Sequence, residues 1–287
     1  MPELPEVETV RRGLIPALEG RRLLRVDIRR PDLRFPFPER MQQRLEHKTI
    51  ERIDRRSKYL LFRLSSGETL LSHLGMSGRF SIESDTDSTQ PGDFVHAQPA
   101  NPRHDHVVLE AENGVTVRYN DPRRFGFMDL FSTDDDTACA YLTSLGPEPL
   151  SNAFSTAYLD EAFRNKSTPA KTALLDQSLI AGLGNIYVCE ALHEARISPR
   201  RAAKTLVGAR NARLVPAIRR ILSRAIEAGG SSLRDFAGTD GALGYFQHTF
   251  RAYGREGEAC INDGCPGSID RIVQSGRSTF FCRRCQR

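Results

Sequence analysis

Met1-Pro2-Glu3-Leu4-Pro5-Glu6-Val7-Glu8 opens the chain. From Pro5 the spacing predicts a helix to about Leu18, because Val7, Val10, Leu14 and Leu18 recur on one apolar face. Pro5 suits a first helical position, and Glu6 and Glu8 suit the electropositive first turn. Removal of Met1, which the small Pro2 favours, would leave a secondary amine beside that helix end. Such an amine can attack an aldehyde-level carbon and form an iminium ion that holds positive charge without further proton loss. An α-amino group titrates near ~7.7–8.0, and the adjoining helix end disfavours its protonation. Glu3, Glu6 and Glu8 stand ready to move protons beside it. An isolated Pro-Glu-Leu-Pro-Glu reads only as a rigid lead-in to a helix. The other end of the chain gives it more weight.

There Cys260, Cys265, Cys282 and Cys285 form two close pairs separated by a hairpin-sized gap. Two such pairs match a tetrahedral four-thiolate zinc site. Ser268–Gln274 and Arg277–Phe281 read as short strands, with Ser275-Gly276 as the turn. One structural zinc ion would hold together a segment too small to build its own core. Two disulfides in a secreted domain are the alternative, and no signal peptide is visible to support it. Cys139 and Cys189 stand alone and read as buried small hydrophobes.

The length of 287 residues suggests two domains plus the small zinc module. No apolar run is long enough to span a membrane, and a cytoplasmic location is expected. The net charge of +5 is unevenly placed. Arg200 to Ile226 carries basic residues and no acidic one, and Arg271, Arg277, Arg283 and Arg284 continue the bias. Acidic residues gather instead at Glu83–Asp93 and Asp134–Asp136. Each basic residue alone is a solvated face, but the segregation points to a phosphate backbone.

Between the two ends, Arg52–Leu64 reads as a strand, which would leave Lys58 at a solvated edge. Met76 in an apolar stretch reads as core. Asp121-Pro122 is a turn signal, so Arg123, Arg124 and Phe125 belong to a loop tip. Thr172–Ile180 and Ile186–Ala195 read as helices joined by Ala181-Gly182-Leu183-Gly184, with Asn185 as N-cap of the second. A helix start reached through glycines is a ready phosphate site. A third helix is expected over about Leu206–Glu227, ending at Gly229-Gly230 and kinked or divided by Pro216. Ser81–Arg103 reads as a long polar loop.

Taken in order, these segments resemble one family along essentially the whole chain. They are PELPEVET at the start, Ser57-Lys58-Tyr59-Leu60, His73-Leu74-Gly75-Met76-Ser77-Gly78, His104-Asp105-His106, and Asp121-Pro122-Arg123-Arg124-Phe125-Gly126. Leu145–Leu150, Gly182–Tyr187, Gly244-Tyr245-Phe246, Tyr253-Gly254-Arg255 and the four cysteines follow. The chain resembles the formamidopyrimidine-DNA glycosylases, a bacterial base-excision-repair family that also contains endonuclease VIII.

The resemblance implies an α+β multidomain fold: an N-terminal β-sandwich with its helix over residues 1–135 and a linker over 136–151. A helix–two-turn–helix domain over 152–243 and a zinc-finger β-hairpin over 244–287 complete it, with DNA in a cleft between the halves. It implies a monomeric enzyme that extrudes a damaged base from duplex DNA. The lesions would be 8-oxoguanine opposite cytosine and formamidopyrimidines. The catalytic residues implied are Pro2 as nucleophile, Glu3 and Glu6 beside it, and Lys58 and Arg277 as proton donors in successive β- and δ-eliminations. Met76, Arg123 and Phe125 would fill the gap left by the flipped base, with Arg123 facing the orphaned cytosine. His104, Lys166 and Asn185 would bind backbone phosphate. Two departures stand out: Ser81–Arg103 is longer than the usual link, and Pro169 lies beside Lys166.

Two other readings compete. An endonuclease VIII-type enzyme acting on oxidised pyrimidines is disfavoured by Leu4, where that branch usually has glycine, and by Ser231–Tyr245, which looks like the purine-branch lesion loop. A non-catalytic zinc DNA-binding protein is disfavoured by Pro2, Glu3 and Lys58.

Overall fold

A computed structural model describes residues 2–84, 101–135, 137, 139–231 and 244–287. Most of the Ser81–Arg103 segment, Asp136, and the interior of the Ser231–Tyr245 segment lie outside the described residues. The chain forms two compact units. One comprises Met1–Thr143 and Ala228–Gln247, the other Ser144–Glu227 and His248–Arg287.

The first unit begins with helix α1 (Leu4–Leu18). It starts one residue before the expected Pro5, because Glu3 is the N-cap and pairs reciprocally with Glu6 in a capping box. Its Val7, Val10, Leu14 and Leu18 face is buried as the periodicity implied. Eight antiparallel strands follow: β1 (Arg21–Ile28), β2 (Thr49–Arg56), β3 (Tyr59–Leu64), β4 (Glu68–His73), β5 (Arg79–Ser84), β6 (Asp105–Ala111), β7 (Val115–Asn120) and β8 (Phe127–Ser132). Their order is β5-β7-β6-β1-β2-β3-β4-β8. Strand β1 serves two half-sheets. Arg21 and Arg22 pair with β2, while Leu23 to Ile28 pair with β6. The halves share one core, in which Phe62 of β3 meets Phe80 of β5 with ring centroids 6.1 Å apart. That shared core makes the eight strands a sandwich. Helix α2 (Met41–Leu45) adds Met41 and Leu45 to the core. On the outer face of the β2–β8 half, Leu61, Leu71, Phe127 and Phe131 pack with Cys139 and the short α3 (Ala140–Thr143).

The expected strand Arg52–Leu64 is in fact a hairpin. Ser57 and Lys58 form its turn, with Ser57 at φ +56°. The run of apolar residues hid the reversal because β3 is buried on both faces and lacks alternation. Met76 likewise is not in a strand. Strand β4 ends at His73, and Met76 sits in the turn that follows, 37% exposed. The first residues of the expected Ser81–Arg103 loop extend β5 instead.

The second unit contains α4 (Thr156–Phe163), α5 (Ala170–Leu174), α6 (Asn185–Glu194) and α7 (Ala209–Glu227), then the hairpin β9 (Ile269–Gln274) and β10 (Arg277–Cys282). The helix expected over Thr172–Ile180 stops at Leu174. Asp176 and Gln177 end it by bonding backbone: Asp176 Oδ1 accepts from Ser178 N, and Gln177 Oε1 accepts from Gly182 N. Helix α7 is not divided at Pro216. An interior proline costs about 3 kcal/mol, but burial of Leu214, Val215, Ile218, Ile221 and Leu222 along one face offsets it. Among the described residues no helix is long and apolar enough to cross a membrane.

Candidate active site, insertion loops and metal centre

Within the first unit, Pro2, Glu3 and Glu6 are buried at the start of α1. Glu6 Oε2 accepts the Glu3 N–H at 2.8 Å. Its other oxygen accepts from Ser231 N at 2.8 Å and Ser231 Oγ at 3.0 Å. Glu6 thus clamps the residue next to Pro2 to the stem of the segment that begins at Ser231. Tyr245 N donates to Ala228 O and Phe246 N to Gly230 O, which closes that stem. Ser231 escaped sequence reading, since nothing in Gly229-Gly230-Ser231 announces a carboxylate partner.

Glu8 is a structural anchor rather than the proton mover its position suggests. It accepts from Arg11, Arg12 and Arg55. Burial pushes its carboxyl up, and the arginine hydrogen bonds and charges outweigh that and hold it below the ordinary range. Arg55 also donates to Ser57 O at 2.9 Å. One guanidinium therefore joins the first turns of α1 to the turn that carries Lys58. That lysine is only 7% exposed, not solvated at an edge. Strand pairing sets Tyr59 opposite His73. Burial, with the charges of Lys58 and Arg34, lowers the His73 pKa to about 4. The neutral ring accepts Gly75 N at Nδ1, 3.1 Å, and shapes the Met76 turn.

Met76 and Phe125 project on neighbouring loops, exposed by 37% and 44%. The Arg123 guanidinium lies 4.9 Å over the Phe125 ring. His104 ends a short 3₁₀ turn, and its carbonyl accepts Asp121 N at 3.0 Å, so it adjoins the base of the same loop.

In the second unit, Lys166 Nζ lies 3.5 Å from Asp176 Oδ2. Asn185 is not the N-cap of α6. Gly184 occupies that position, and Asn185 is the first helical residue. The Asn185 Nδ2 donates to Ser278 O at 3.0 Å, next to Arg277 at the exposed start of β10. Lys171 Nζ, fully buried, donates to the same carbonyl at 2.8 Å and to Thr279 Oγ1 at 2.6 Å. Ser275 and Gly276 both adopt positive φ, the tight hairpin turn expected there.

The four cysteine Sγ atoms lie within 4.8 Å of one another. Cys260–Cys285 and Cys265–Cys282 are 3.7 and 3.6 Å apart, unbonded thiols rather than disulfides. A tetrahedron with metal–sulfur bonds of ~2.3 Å has edges of about 3.8 Å, so the four thiols fit a metal ion. A Cβ at Gly267 would lie 2.8 Å from Cys282 Sγ, which reserves that position for glycine. Cys139 and Cys189 are buried apart from the cluster.

The model of the formamidopyrimidine-DNA glycosylase N-terminal domain matches residues 1–128, and that of the H2TH domain of the same enzymes matches residues 145–237. The chain belongs to the formamidopyrimidine-DNA glycosylase family. A formamidopyrimidine-DNA glycosylase of Ruegeria pomeroyi is 58% identical over 287 residues, all of both chains. The crystal structure of the MutM (Fpg) protein from Thermus thermophilus is 40% identical, with a TM-score of 0.83, covering 99% of this chain and 98% of that one. Lactococcus lactis Fpg, solved in complex with abasic-site DNA, is 34% identical with a TM-score of 0.84 over the whole of both chains. Other structures of the Lactococcus lactis protein hold Fapy-dG-containing DNA. This formamidopyrimidine-DNA glycosylase family member is an enzyme. Its β-sandwich, helical H2TH region and C-terminal four-cysteine cluster match the family architecture. The homology is to glycosylase/lyase enzymes of base-excision repair.

Proposed function

We propose that the chain removes oxidised purines, 8-oxoguanine opposite cytosine and formamidopyrimidines, from duplex DNA and then cleaves the strand. The observation that carries this reading is the buried Pro2, set at a helix start with Glu3 and Glu6 nine-tenths or more buried beside it. The Pro2 nitrogen attacks the sugar C1′ as the base departs, and the nitrogen–carbon bond becomes an iminium. Glu3 transfers the proton that opens the sugar ring, and Glu6 fixes Glu3 through its backbone N–H. The iminium acidifies the C2′ hydrogens, so β-elimination expels the 3′ phosphate and δ-elimination the 5′ phosphate. Lys58 donates a proton in the first stage and Arg277 in the later one. Hydrolysis frees the amine.

Met76, Arg123 and Phe125 replace the extruded nucleotide. The exposed tips of Met76 and Phe125, with the Arg123 guanidinium over the Phe125 ring, suit that task. His104, Lys166 and the start of α6 at Asn185 contact backbone phosphate, and the cysteines hold one structural zinc ion. The enzyme works as a cytoplasmic monomer.

Product analysis tests this reading. Duplexes carrying 8-oxoguanine opposite cytosine, formamidopyrimidine or an oxidised pyrimidine are incubated with the enzyme, and the ends are resolved by electrophoresis. Faster cleavage of the purine lesions, with phosphate on both sides of the gap, is expected. Preference for the pyrimidine lesion would move the chain to the endonuclease VIII branch. Binding without cleavage would make it a non-catalytic DNA-binding protein.

A further inference from the structure

We propose that Asp121 and Ser77 are positioning residues that lock the Met76 turn and the Arg123–Phe125 loop into one insertion unit. Through that unit they set the preference for the base opposite the lesion. This rests on the insertion roles of Met76, Arg123 and Phe125 given above.

Asp121 is fully buried, and each of its oxygens is used. Oδ1 accepts Ser77 Oγ–H at 2.6 Å and Arg123 N–H at 3.3 Å, while Oδ2 accepts Gly126 N–H at 2.8 Å. The Ser77 hydroxyl in turn accepts Arg123 N–H at 3.2 Å. The carboxylate thus binds the residue after Met76 and both ends of the Arg123–Phe125 loop. Its backbone is tied as well, with N–H on His104 O and carbonyl on His106 Nε2. The two loops also touch directly. A Cβ at Gly75 would stand 2.3 Å from Gly126 N and from Phe125 C, so only glycine permits the approach. A third segment seals the outside, where Arg34 N donates to Gly126 O at 3.1 Å.

The loop tip carries strain that this arrangement explains. Arg124 is left-handed, φ +54°, although it is not glycine. Such a conformation persists only where the surroundings over-determine it. Here the bonds of Asp121 on either side of Arg124 do so. The consequence is functional, because the three tip side chains point to solvent and gain no placement from core packing. Polar reading of a base needs donors held within about 0.5 Å. A shared buried carboxylate gives the Met76 tip and the Arg123 tip one common frame, so both arrive together when the base leaves.

Ser77→Ala removes the hydroxyl that both donates to Asp121 and accepts from Arg123. The test compares cleavage of 8-oxoguanine opposite cytosine and opposite adenine for wild type, Ser77→Ala, Ser77→Thr and Arg123→Ala. Cleavage of a single-stranded abasic oligonucleotide, which has no opposite base, reports folding and chemistry. A misplacement of ~1 Å costs up to about 100-fold. Ser77→Ala is therefore expected to lose about tenfold on the cytosine duplex and to shrink the cytosine-to-adenine ratio toward that of Arg123→Ala. Ser77→Thr, which keeps the hydroxyl, restores the ratio, and single-strand cleavage holds. An unchanged ratio in Ser77→Ala, with Arg123→Ala altered, would overturn the latch alone. An unchanged ratio in Arg123→Ala would overturn the insertion reading, and the latch with it. Parallel loss of single-strand cleavage would reduce Ser77 to general structural support and also overturn the proposal.

Discussion

His193 Nε2 lies 3.4 Å from Cys260 Sγ, so helix α6 reaches directly into the four-cysteine cluster. Burial, followed by the charges of Arg251, Arg255 and Arg196, lowers the His193 pKa to about 4, which keeps the ring neutral. Its Nε2 lies within hydrogen-bonding distance of both Cys260 Sγ and Asn262 Nδ2. Three residues earlier on the same face, Glu190 accepts the backbone N–H groups of Arg251, Ala252 and Tyr253. Asn262 Nδ2 donates to Cys285 Sγ at 3.3 Å. These contacts form an outer shell around the cysteine sulfurs.

Loss of that shell should loosen the zinc ion proposed for the four cysteines. Changes to residues that orient metal ligands typically cost about 10–100-fold in metal affinity. His193→Phe is expected to release zinc to a chromogenic chelator about tenfold faster than wild type, with His193→Gln between them. Equal release rates in all three would show that the ring only fills space.

The neutral His73 gives a pH dependence with a definite sign. Its folded pKa of about 4 lies below the ordinary 6.5. Between those values the unfolded chain binds a proton that the folded chain refuses. The stability contribution is full above about pH 6.5, falls as pH drops toward 4, and is constant below. Denaturant titrations should show a smaller stability loss across that window in His73→Gln than in wild type. Equal losses would contradict a buried neutral His73.

Gly230 has φ +79°, and a Cβ there would stand 3.1 Å from Glu6 Cγ and Oε1. Gly230→Ala combines backbone strain of about 1–3 kcal/mol with pressure on the Glu6 clamp. Single-turnover cleavage of a lesion duplex is expected to slow about tenfold, the equivalent of ~1.4 kcal/mol. A wild-type rate would show that Glu6 tolerates displacement.

Lys171 and Asn185 converge on the Ser278 carbonyl, one residue from Arg277. Lys171→Met strips a buried donor from Thr279 Oγ1 and leaves the Ser278 carbonyl with Asn185 alone, at about 1–3 kcal/mol. The melting temperature should fall. Gel analysis should show β-elimination product accumulating at the expense of δ-product, because Arg277 is misplaced. Normal product ratios despite a lower melting temperature would detach Arg277 from that support.

Much of this molecule is legible in its sequence, where local signals and tertiary demands agree. The periodic face of α1, the Ser275-Gly276 turn and the paired cysteines each satisfy a local rule that the fold also needs. Reading failed where long-range bonds decide. The Ser57-Lys58 reversal has no glycine, and Arg55 holds it from outside. Asn185 has the side chain of a cap, yet the hairpin claims its amide. Pro216 breaks isolated helices, but the buried face of α7 overrides it. Ser231, Ser77 and Asp121 are ordinary polar residues until folding brings their partners to them.

The most direct test of the central claim is borohydride trapping on a duplex with 8-oxoguanine opposite cytosine, followed by peptide mapping of the adduct. Reduction should fix the sugar to the Pro2 nitrogen, and Pro2→Gly should sharply lower the yield. An adduct mapped to Lys58 or another lysine, or full trapping in Pro2→Gly, would contradict an N-terminal proline nucleophile.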